Sequence, residues 1–402
     1  MNDFENELNR QLAALREQHL LRKPRRVDSP QAAHLEIDGR RLLNFSSNDY
    51  LGLANDPEIK QAAIDTVARF GAGTGASPLI CGRLAPHAEL EEALAAFKGT
   101  PAALCFSSGY AAALGAIGAL MGRGDFIVID KLVHASIVDA ARLCGAKLRV
   151  FAHSDLESLT EILRWIDRQR SPVAPGTSVR RPRTLIVTES IFSMDGDRAP
   201  LRELVELKEK FGVWLMVDEA HATGIYGAAR RGLIEECGLD GHVEIEMGTL
   251  SKALGASGGY ICGSRALIDL LVNRARSYIF STAPAPAAVG AATAAIRVVQ
   301  SAVGAARRKR LKERIEQLAA HAGAHWRSAI VPILIGAEGR ALTAAAELQS
   351  HGIFVPAIRY PTVARGAARL RVTLTAAHDR SDLEKLIEAL AELLPTRAAL
   401  PE

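Results

Sequence analysis

Apolar runs of strand length recur through the middle of the chain, and segments with helical spacing or turn residues separate them. The clearest runs cover residues 102–106, 126–130, 184–188 and 213–217. Strands that alternate with helices pair in parallel, because a parallel connection needs a crossover that a helix supplies. The pattern predicts an α/β fold with a mostly parallel sheet. A chain of 402 residues is long enough for a large domain and a second, smaller one.

One lysine lies in a small and uncharged segment. Thr249 and Ser251 precede Lys252, and three glycines follow before residue 260. Burial lowers the pKa of an amine and makes it a usable nucleophile toward an aldehyde. Glycines let backbone or a flat cofactor approach closely. Taken alone, the segment is more typical of a loop lysine ahead of a buried strand.

A charged cluster ends the apolar run at 213–217, where Asp218 and Glu219 are followed by His221. Open α/β sheets bind ligands at the carboxyl ends of their strands. A buried aspartate there needs a partner, and a protonated pyridine nitrogen is one. Pyridoxal 5'-phosphate requires a lysine for its Schiff base and an acid facing its ring nitrogen. Asp218 and Lys252 together therefore predict this cofactor, and we expect no metal site.

Five segments carry a family resemblance, and they span nearly the whole chain. They are residues 44–53 (NFSSNDYLGL), 190–197 (SIFSMDGD), 218–224 (DEAHATG), 249–255 (TLSKALG) and 369–378 (RLRVTLTAAH). With them the chain resembles the α-oxoamine synthases, a family of fold-type I pyridoxal-phosphate transferases. The resemblance implies a large domain with a mostly parallel seven-stranded sheet flanked by helices. It also implies a smaller α+β domain, formed by the C-terminal part and the N-terminal arm. The expected divisions are an arm and hairpin at 1–50, the large domain at 51–284 and the small domain at 285–402.

The turn at 107–110, after a predicted strand, predicts a phosphate site. Backbone N–H groups at a helix N-terminus attract anions, so Gly109 and Tyr110 are the first candidates, in agreement with the family. By resemblance, Lys252 holds the cofactor and then acts as the base, and Asp218 faces the ring nitrogen. His134 is expected to stack on the ring, and His221 to bond its phenolic oxygen. The predicted catalytic residues are Lys252, Asp218, His221 and His134; the predicted cofactor-binding residues are Gly109, Tyr110, His134, Ser193, Asp218, His221, Thr249, Lys252 and Thr282.

The substrate residues are assigned by resemblance, with one physical argument of their own. Arg359 lies between an apolar turn and a proline, and its planar guanidinium suits the paired grip of a carboxylate. The chain departs from the family pattern at two places. In the glycine-rich loop, Pro78 and Leu79 follow Ser77 where relatives often have Ser-Gly-His, and Tyr360 stands where relatives usually have a proline. The predicted substrate-binding residues are Arg22, Asn48, His134, Arg359 and Thr362.

The best-matching members of this family condense L-alanine with a pimeloyl thioester, either pimeloyl-CoA or a pimeloyl-carrier protein, and release carbon dioxide and a free thiol. Members that use glycine (5-aminolevulinate synthase and 2-amino-3-oxobutyrate ligase) and serine palmitoyltransferase remain alternatives. Thr282 aligns with a hydroxyl residue that reaches the phosphate of the neighbouring subunit, so the resemblance implies a homodimer with shared active sites. A regulator with this fold that binds DNA needs an added domain, for which we expect no room before Asn44.

Composition narrows the class of protein further. A net charge of +4 does not argue for a nucleic-acid-binding protein. Five scattered cysteines without CxxC spacing are typical of reduced thiols in a cytoplasmic protein.

The uncharged segment 99–122 is long enough to span a bilayer, but its Ala, Gly and Ser content favours a buried strand, a turn and a buried helix. The basic run 307–314 reads as a solvated helix face rather than a nucleic-acid patch.

Three local structures are also predicted. Apolar residues at roughly helical spacing in 4–21 predict an amphipathic arm. Asp38-Gly39 predicts the turn of a hairpin over 35–45. Residues 171–183 have the composition of an exposed loop.

Overall fold

The structure is a computed structural model, and it describes residues 3–169, 181–322 and 327–393. The loop predicted at 171–183 therefore lies mostly outside the described residues. The helices are α1 (Asp3–Glu17), α2 (Pro57–Phe70), α3 (Ala85–Lys98), α4 (Gly109–Leu120), α5 (Ala135–Leu143), α6 (Leu156–Gln169), α7 (Leu201–Phe211), α8 (Leu233–Glu236), α9 (Arg265–Arg274), α10 (Arg276–Ile279), α11 (Pro286–Gln300), α12 (Ala302–Ala322), α13 (Glu338–Ser350) and α14 (Arg380–Leu393), with a π-helical turn at Pro78–Gly82.

The strands follow the apolar runs of the sequence closely. They are β1 (His34–Ile37), β2 (Arg40–Asn44), β3 (Ala102–Phe106), β4 (Phe126–Asp130), β5 (Lys147–Phe151), β6 (Thr184–Glu189), β7 (Trp214–Asp218), β8 (Ile245–Thr249), β9 (Gly259–Gly263), β10 (Ile330–Gly336), β11 (Ile353–Phe354), β12 (Ala357–Ile358) and β13 (Ala368–Thr373).

The described chain forms two compact units. The larger unit consists of Asp56–Ser193 and Asp197–Ala305, in their described parts. The smaller unit consists of the described parts of Met1–Asn55, Met194–Gly196 and Ala306–Glu402. Helix α11 belongs to the larger unit, where it packs against α2 and α3. The domain limits expected from the sequence, after residues 50 and 284, stay a prediction.

A seven-stranded sheet forms the centre of the larger unit, in the order β3-β9-β8-β7-β6-β4-β5. Strand β9 runs antiparallel to its two neighbours, and the other pairs are parallel. Strands β3, β4, β6, β8 and β9 are buried at every residue. Burial on both faces explains their continuous apolar runs, since helices cover both sides of a parallel sheet. The predicted mostly parallel, seven-stranded α/β sheet is confirmed.

The smaller unit contains two three-stranded sheets, β1-β2-β11 and β10-β13-β12. Strands β1 and β2 form the predicted hairpin. Its two turn residues, Asp38 and Gly39, both have positive φ, 51° and 70°, as a two-residue turn of this hand requires. Strand β11 then pairs in parallel with β2, so that Ile353 lies beside Leu43.

The amphipathic arm is helical, as predicted, over α1. None of its residues is buried within the described chain, and Phe4, Leu8, Leu12 and Leu15 are all exposed. The sequence pattern thus identified the helix and its apolar face, while the structure of the single chain leaves that face uncovered.

The uncharged segment 99–122 folds as β3, a turn and α4, as predicted. Among the described residues, no single helix is long and apolar enough to cross a membrane. Helices α11 and α12 meet that criterion only as a pair, by length and composition, with a bend of 74° between them.

The basic run on α12 is held by the smaller unit on one side. Arg307 donates to the carbonyls of Leu51 and Gly52. Arg310 and Arg314 donate to carbonyls beyond β13, those of residues 376 and 378. These three arginines lie on one face of the helix at spacings of three and four. Arg310 is exposed, in line with the predicted solvated face, whereas Arg307 and Arg314 are partly buried by their contacts with backbone carbonyl groups of distant loops.

Candidate active site

The carboxyl ends of the parallel strands form one polar edge of the sheet in the larger unit. Strand β6 ends at Glu189 and β7 at Asp218, and the two residues are partners in register. Strand β8 ends nearby at Thr249. A cavity of about 170 Å³ opens at this edge. Its lining residues are Gly109, Tyr110, His134, Ser136, Glu189, Asp218, Ala220, His221, Met247, Thr249, Ser251 and Lys252.

Lys252 lies in the turn between β8 and β9, and its side chain enters this cavity. Its Nζ lies 2.6 Å from Nε2 of His221, so the two nitrogens share a hydrogen bond. The turn closes on itself because Leu250 donates to the carbonyl of Gly258, whose φ of 126° suits glycine. The structure therefore brings the predicted lysine and histidine together.

Gly259 determines how close the start of α4 comes to this turn. A Cβ at Gly259 would lie 2.4 Å from the backbone of Ser108 and Gly109. Only glycine allows β9 to pass so near the first residues of the helix. The Oγ1 of Thr249 lies on the same side and contacts Oγ of Ser251 at 2.8 Å. The hydroxyl of Thr249 donates to the carbonyl of Gly258 at 2.9 Å. The backbone N–H groups at the start of α4 lie at the same end of the cavity, which is an anion-binding arrangement.

Asp218 is buried with a specific hydrogen bond. Its side chain accepts from the backbone N–H of Ala220 at 2.9 Å, and 5% of the residue is exposed. Burial raises the pKa of this carboxyl, and the positive charge of Lys252 opposes that rise. A cationic group at the Asp218 carboxylate would have the same effect as Lys252.

His134 caps the N-terminus of α5. Its Nδ1 accepts from the backbone N–H of Ser136 at 3.2 Å and contacts the Ser136 hydroxyl at 2.8 Å. Because Nδ1 accepts, the neutral ring carries its proton on Nε2. Burial lowers the pKa of this imidazole, although Asp218 raises it. The helix cap thus fixes both the orientation and the tautomer of the ring.

Glu189 is a cavity residue that the sequence did not single out. It is 2% exposed, and its Oε1 has no hydrogen-bond partner among the described residues. Burial, followed by the neighbouring Asp218, raises its pKa to about 8. Lys252 and the backbone N–H groups of His134 and Ser193 oppose this rise. The signal available in the sequence was a carboxylate at the end of a fully apolar strand.

Two predicted cofactor residues do not line the cavity. Ser193 is buried in the turn after β6, where its backbone faces Glu189. Thr282 lies beyond α10 and is exposed. Their predicted roles stay predictions.

Arg22, Arg359 and Thr362 lie together in the smaller unit. Arg22 donates to the carbonyl of Tyr360 at 2.9 Å, and Thr362 donates its backbone N–H to the carbonyl of Arg359 at 3.0 Å. Arg359 is 7% exposed and donates to the carbonyl of His19. Its Nε has no hydrogen-bond partner within the described parts of the chain. Burial, and then the charge of Arg22, lowers the pKa of Arg359. Because the positive charges of Arg22 and Arg359 repel each other, an anion bound beside them would be favoured.

Asn48 belongs to a second arginine centre of the same unit. Its Oδ1 accepts from Arg371 at 3.1 Å and from the hydroxyl of Tyr50 at 3.3 Å. Arg371 is 6% exposed and also donates to the hydroxyl of Thr373. The sequence pattern 369–378 contained Arg371, but only its contact with Asn48 identifies it as a candidate for substrate binding.

Comparison with known proteins gives consistent results. The family model for aminotransferases of class I and II matches residues 40–390. The 8-amino-7-oxononanoate synthase of Anaeromyxobacter dehalogenans is 47% identical over 391 residues, covering 96% of this chain and 94% of that protein. The synthase of the same name from Bordetella petrii is 46% identical over 394 residues, covering 95% and 96%.

Solved structures resemble all or most of the chain. A serine palmitoyltransferase from S. paucimobilis, with a bound PLP-myriocin aldimine, matches with a TM-score of 0.88 and 27% identity, covering 100% of both chains. An 8-amino-7-oxononanoate synthase from Francisella tularensis matches with a TM-score of 0.72 and 27% identity, covering 88% of this chain and 98% of that one.

Proposed function

The chain belongs to the class I and II aminotransferase family and, within it, to the 8-amino-7-oxononanoate synthases, and we propose on this basis how its residues serve that reaction. The reaction is a decarboxylative condensation of L-alanine with a pimeloyl thioester, which yields 8-amino-7-oxononanoate, carbon dioxide and a thiol for biotin synthesis. The observation that carries the residue assignment is the cavity in which Lys252 contacts His221 beside the buried Asp218.

The cavity residues fit pyridoxal phosphate. The backbone N–H groups at the start of α4 offer donors to a phosphate, and Asp218 offers a buried carboxylate to a ring nitrogen. The hydroxyl of Thr249 donates to the carbonyl of Gly258 in this structure and would turn from it to donate to the phosphate. When bound, the cofactor supplies an aldehyde that captures amines and a ring that withdraws electrons from the substrate α-carbon. Gly109, Tyr110 and Thr249 would hold the phosphate, and the imidazole of His134 would cover one face of the ring.

Lys252 is the base in this proposal. Its Nζ would remove the proton from the α-carbon of alanine bound in this cavity. His221, at 2.6 Å from Nζ, orients the lysine and, with Ser193, would donate to the phenolic oxygen of the ring. Asp218 would keep a proton on the ring nitrogen, because its buried carboxylate is stabilised by a cation.

Carboxylate recognition is assigned to the smaller unit. Arg359 has the features expected of a receptor for the alanine carboxylate: it is buried, positively charged and has an unused Nε donor. Arg22, next to Arg359, would contact the acyl-thioester substrate. Thr362 fixes the loop after Arg359 by donating its backbone N–H to the Arg359 carbonyl. Asn48 would contact substrate through the centre that it shares with Arg371.

A homodimer and a cytoplasmic location complete the proposal. Thr282 is exposed, which is compatible with a contact to the cofactor phosphate of a second subunit. All five cysteines are free thiols in the structure, which supports a reducing compartment. Sedimentation of the loaded protein, with Thr282→Ala tested for weaker phosphate binding, checks the shared site.

A second α-oxoamine synthase activity deserves a test because the serine palmitoyltransferase structure matches over the entire chain with a TM-score of 0.88. The decisive experiment offers L-alanine, glycine and L-serine in all combinations with pimeloyl, acetyl, succinyl and palmitoyl thioesters, and measures thiol release and product mass. Pimeloyl-CoA and pimeloyl-carrier protein are compared as donors. Efficient use of L-alanine with the pimeloyl thioester is expected; preference for glycine or serine would assign the protein to one of the alternatives.

A further inference from the structure

His153 joins two loops of the larger unit through two carboxylates. It follows β5, and its Nδ1 lies 3.0 Å from Oδ1 of Asp130 while its Nε2 lies 2.8 Å from Oδ2 of Asp197. Both ring nitrogens therefore face an acceptor, as only a protonated imidazole satisfies. The hydrogen bonds that His153 donates to Asp130 and then to Asp197 raise its pKa to about 10.

Asp130 shapes the loop that carries His134. It is the last residue of β4, and its Oδ1 accepts from the backbone N–H of Leu132 at 2.8 Å. Its Oδ2 accepts from the backbone N–H of Ser154 at 2.8 Å. Leu132 lies two residues before His134, so the carboxylate that His153 contacts also fixes the path of the chain into the cap of α5.

Asp197 closes the turn that carries Ser193. Its carbonyl accepts from the backbone N–H of Phe192 at 3.0 Å. The ring of His153 also packs edge-on against Phe192, with centroids 4.4 Å apart and planes at 90°. His153 thus contacts this turn twice, through a charged hydrogen bond and through an aromatic contact.

We propose that His153 is a positioning residue, which holds the His134 loop against the Ser193 turn and so fixes where His134 and Glu189 lie in the cavity that receives the cofactor ring. Glu189 lies where the two loops meet, with the backbone of His134 and of Ser193 facing its carboxyl. His153 touches neither cofactor nor substrate; it acts through Asp130 and Asp197. This inference rests on the proposed function only in assigning His134 and Ser193 to the cofactor.

The other end of the same two strands offers a matched control. Arg183, just before β6, donates to Asp125, just before β4, at 3.1 Å. Its side chain is 28% exposed, against 26% for His153. The Arg183 bridge joins the segments that precede β4 and β6, whereas the His153 bridge joins the end of β4 to segments that follow β5 and β6, at the carboxyl edge.

The test compares His153→Gln and His153→Phe with Arg183→Met, in the full chain loaded with pyridoxal phosphate. Cofactor affinity is measured by fluorescence, the pH midpoint of the visible absorbance of the lysine–cofactor bond by titration, and stability by urea unfolding of the apo form. We expect the His153 variants, which lose both charge-assisted hydrogen bonds, to bind the cofactor about tenfold more weakly and to shift the absorbance midpoint. Arg183→Met should lose stability and keep both cofactor readouts.

Asp197→Asn keeps the inference testable if His153→Phe fails to fold. Its side chain is 41% exposed, and the change removes one charged contact only, so we expect the same shift of smaller size. Wild-type affinity and midpoint in His153→Gln and Asp197→Asn, or equal shifts in Arg183→Met, would overturn the inference. Because these readouts need no turnover, failure to use alanine would count against the proposed function alone.

Discussion

His378 should make the smaller unit sensitive to acid. The residue is 1% exposed, its Nδ1 accepts from the backbone N–H of Thr375 at 3.0 Å, and its Nε2 donates to the carbonyl of Asn44 at 2.9 Å. The ring also stacks on Phe45 with centroids 4.3 Å apart. A second ring proton would break the bond from Thr375, and burial lowers the pKa of His378 to about 4.

The direction and size of this effect of pH on stability follow from the pKa of His378 in the folded and unfolded chain. The unfolded chain binds a proton near the ordinary pKa of about 6.5, whereas the folded chain resists it down to about pH 4. The stabilisation by neutral His378 is therefore fully present above pH 6.5 and is lost as the pH falls toward 4. The loss in the free energy of unfolding is about 2 kcal/mol at pH 5 and about 3 kcal/mol at pH 4.

The assay compares the wild type with His378→Gln, whose amide supplies one donor and one acceptor without titrating. Urea unfolding is measured from pH 7 to pH 4, and hydrogen exchange in the β2 and β13 peptides reports the smaller unit. The wild type should lose about 3 kcal/mol more than His378→Gln over this range. His351→Gln, a change of an exposed histidine in the same unit, should follow the wild type. Parallel curves for wild type and His378→Gln would refute the linkage.

The remaining predictions concern the cofactor, the substrate and one buried ion pair. Lys252→Ala should abolish the cofactor bond that borohydride traps, and peptide mapping of the wild type should find the label on Lys252; label on another lysine contradicts the assignment. Asp218→Asn should keep the fold but lose most exchange of the alanine α-proton, measured by NMR in deuterated water; exchange at the wild-type rate contradicts its role. Arg359→Ala should weaken alanine binding by roughly 2–5 kcal/mol, and Arg359→Lys should weaken it by less. Both are measured by spectral titration with alanine, with Arg371→Lys titrated for comparison. Unchanged alanine affinity in Arg359→Ala would exclude Arg359 as the carboxylate receptor. Lys98→Met should lower the free energy of unfolding by about 3–5 kcal/mol, because Lys98 is fully buried against two carboxylates; a loss below about 1 kcal/mol in urea unfolding would contradict this estimate.

Much of the larger unit could be predicted because its signals are local. An apolar run such as 102–106 becomes a strand when the sheet buries both of its faces, and the turn after it becomes the start of α4. Lys252 and Asp218 were identifiable because each lies beside apolar or glycine-rich sequence, where a buried charged side chain needs a partner. The structure then brings them to one cavity.

The residues that sequence reasoning missed depend on contacts between distant segments. Glu189 looks like an ordinary strand end until its register with Asp218 places two carboxyls together. Ser136 is recognisable as a site residue only because it contacts Nδ1 of His134 in the structure. The carbonyl partners of Arg307, Arg310 and Arg314 lie in loops more than 50 positions away, which a linear pattern does not reveal. Periodicity reports which face of an element is apolar, but it does not report which distant chain segment will meet the polar face.

The smaller unit is assembled from both ends of the described chain, and this has a consequence for biosynthesis. His378 bonds to the carbonyl of Asn44 across 334 positions, and β2 receives its parallel partner β11 only from the last quarter of the sequence. At a translation speed of 5–20 residues per second, the hairpin waits roughly 15 to 70 s on the ribosome before its partners emerge. The separations within the larger unit are shorter, since that unit is nearly continuous and Phe106 of β3 pairs with Gly259 of β9. We therefore expect the nascent hairpin, with one strand edge unpaired, to be the segment that chaperones bind and that aggregates first when they are scarce.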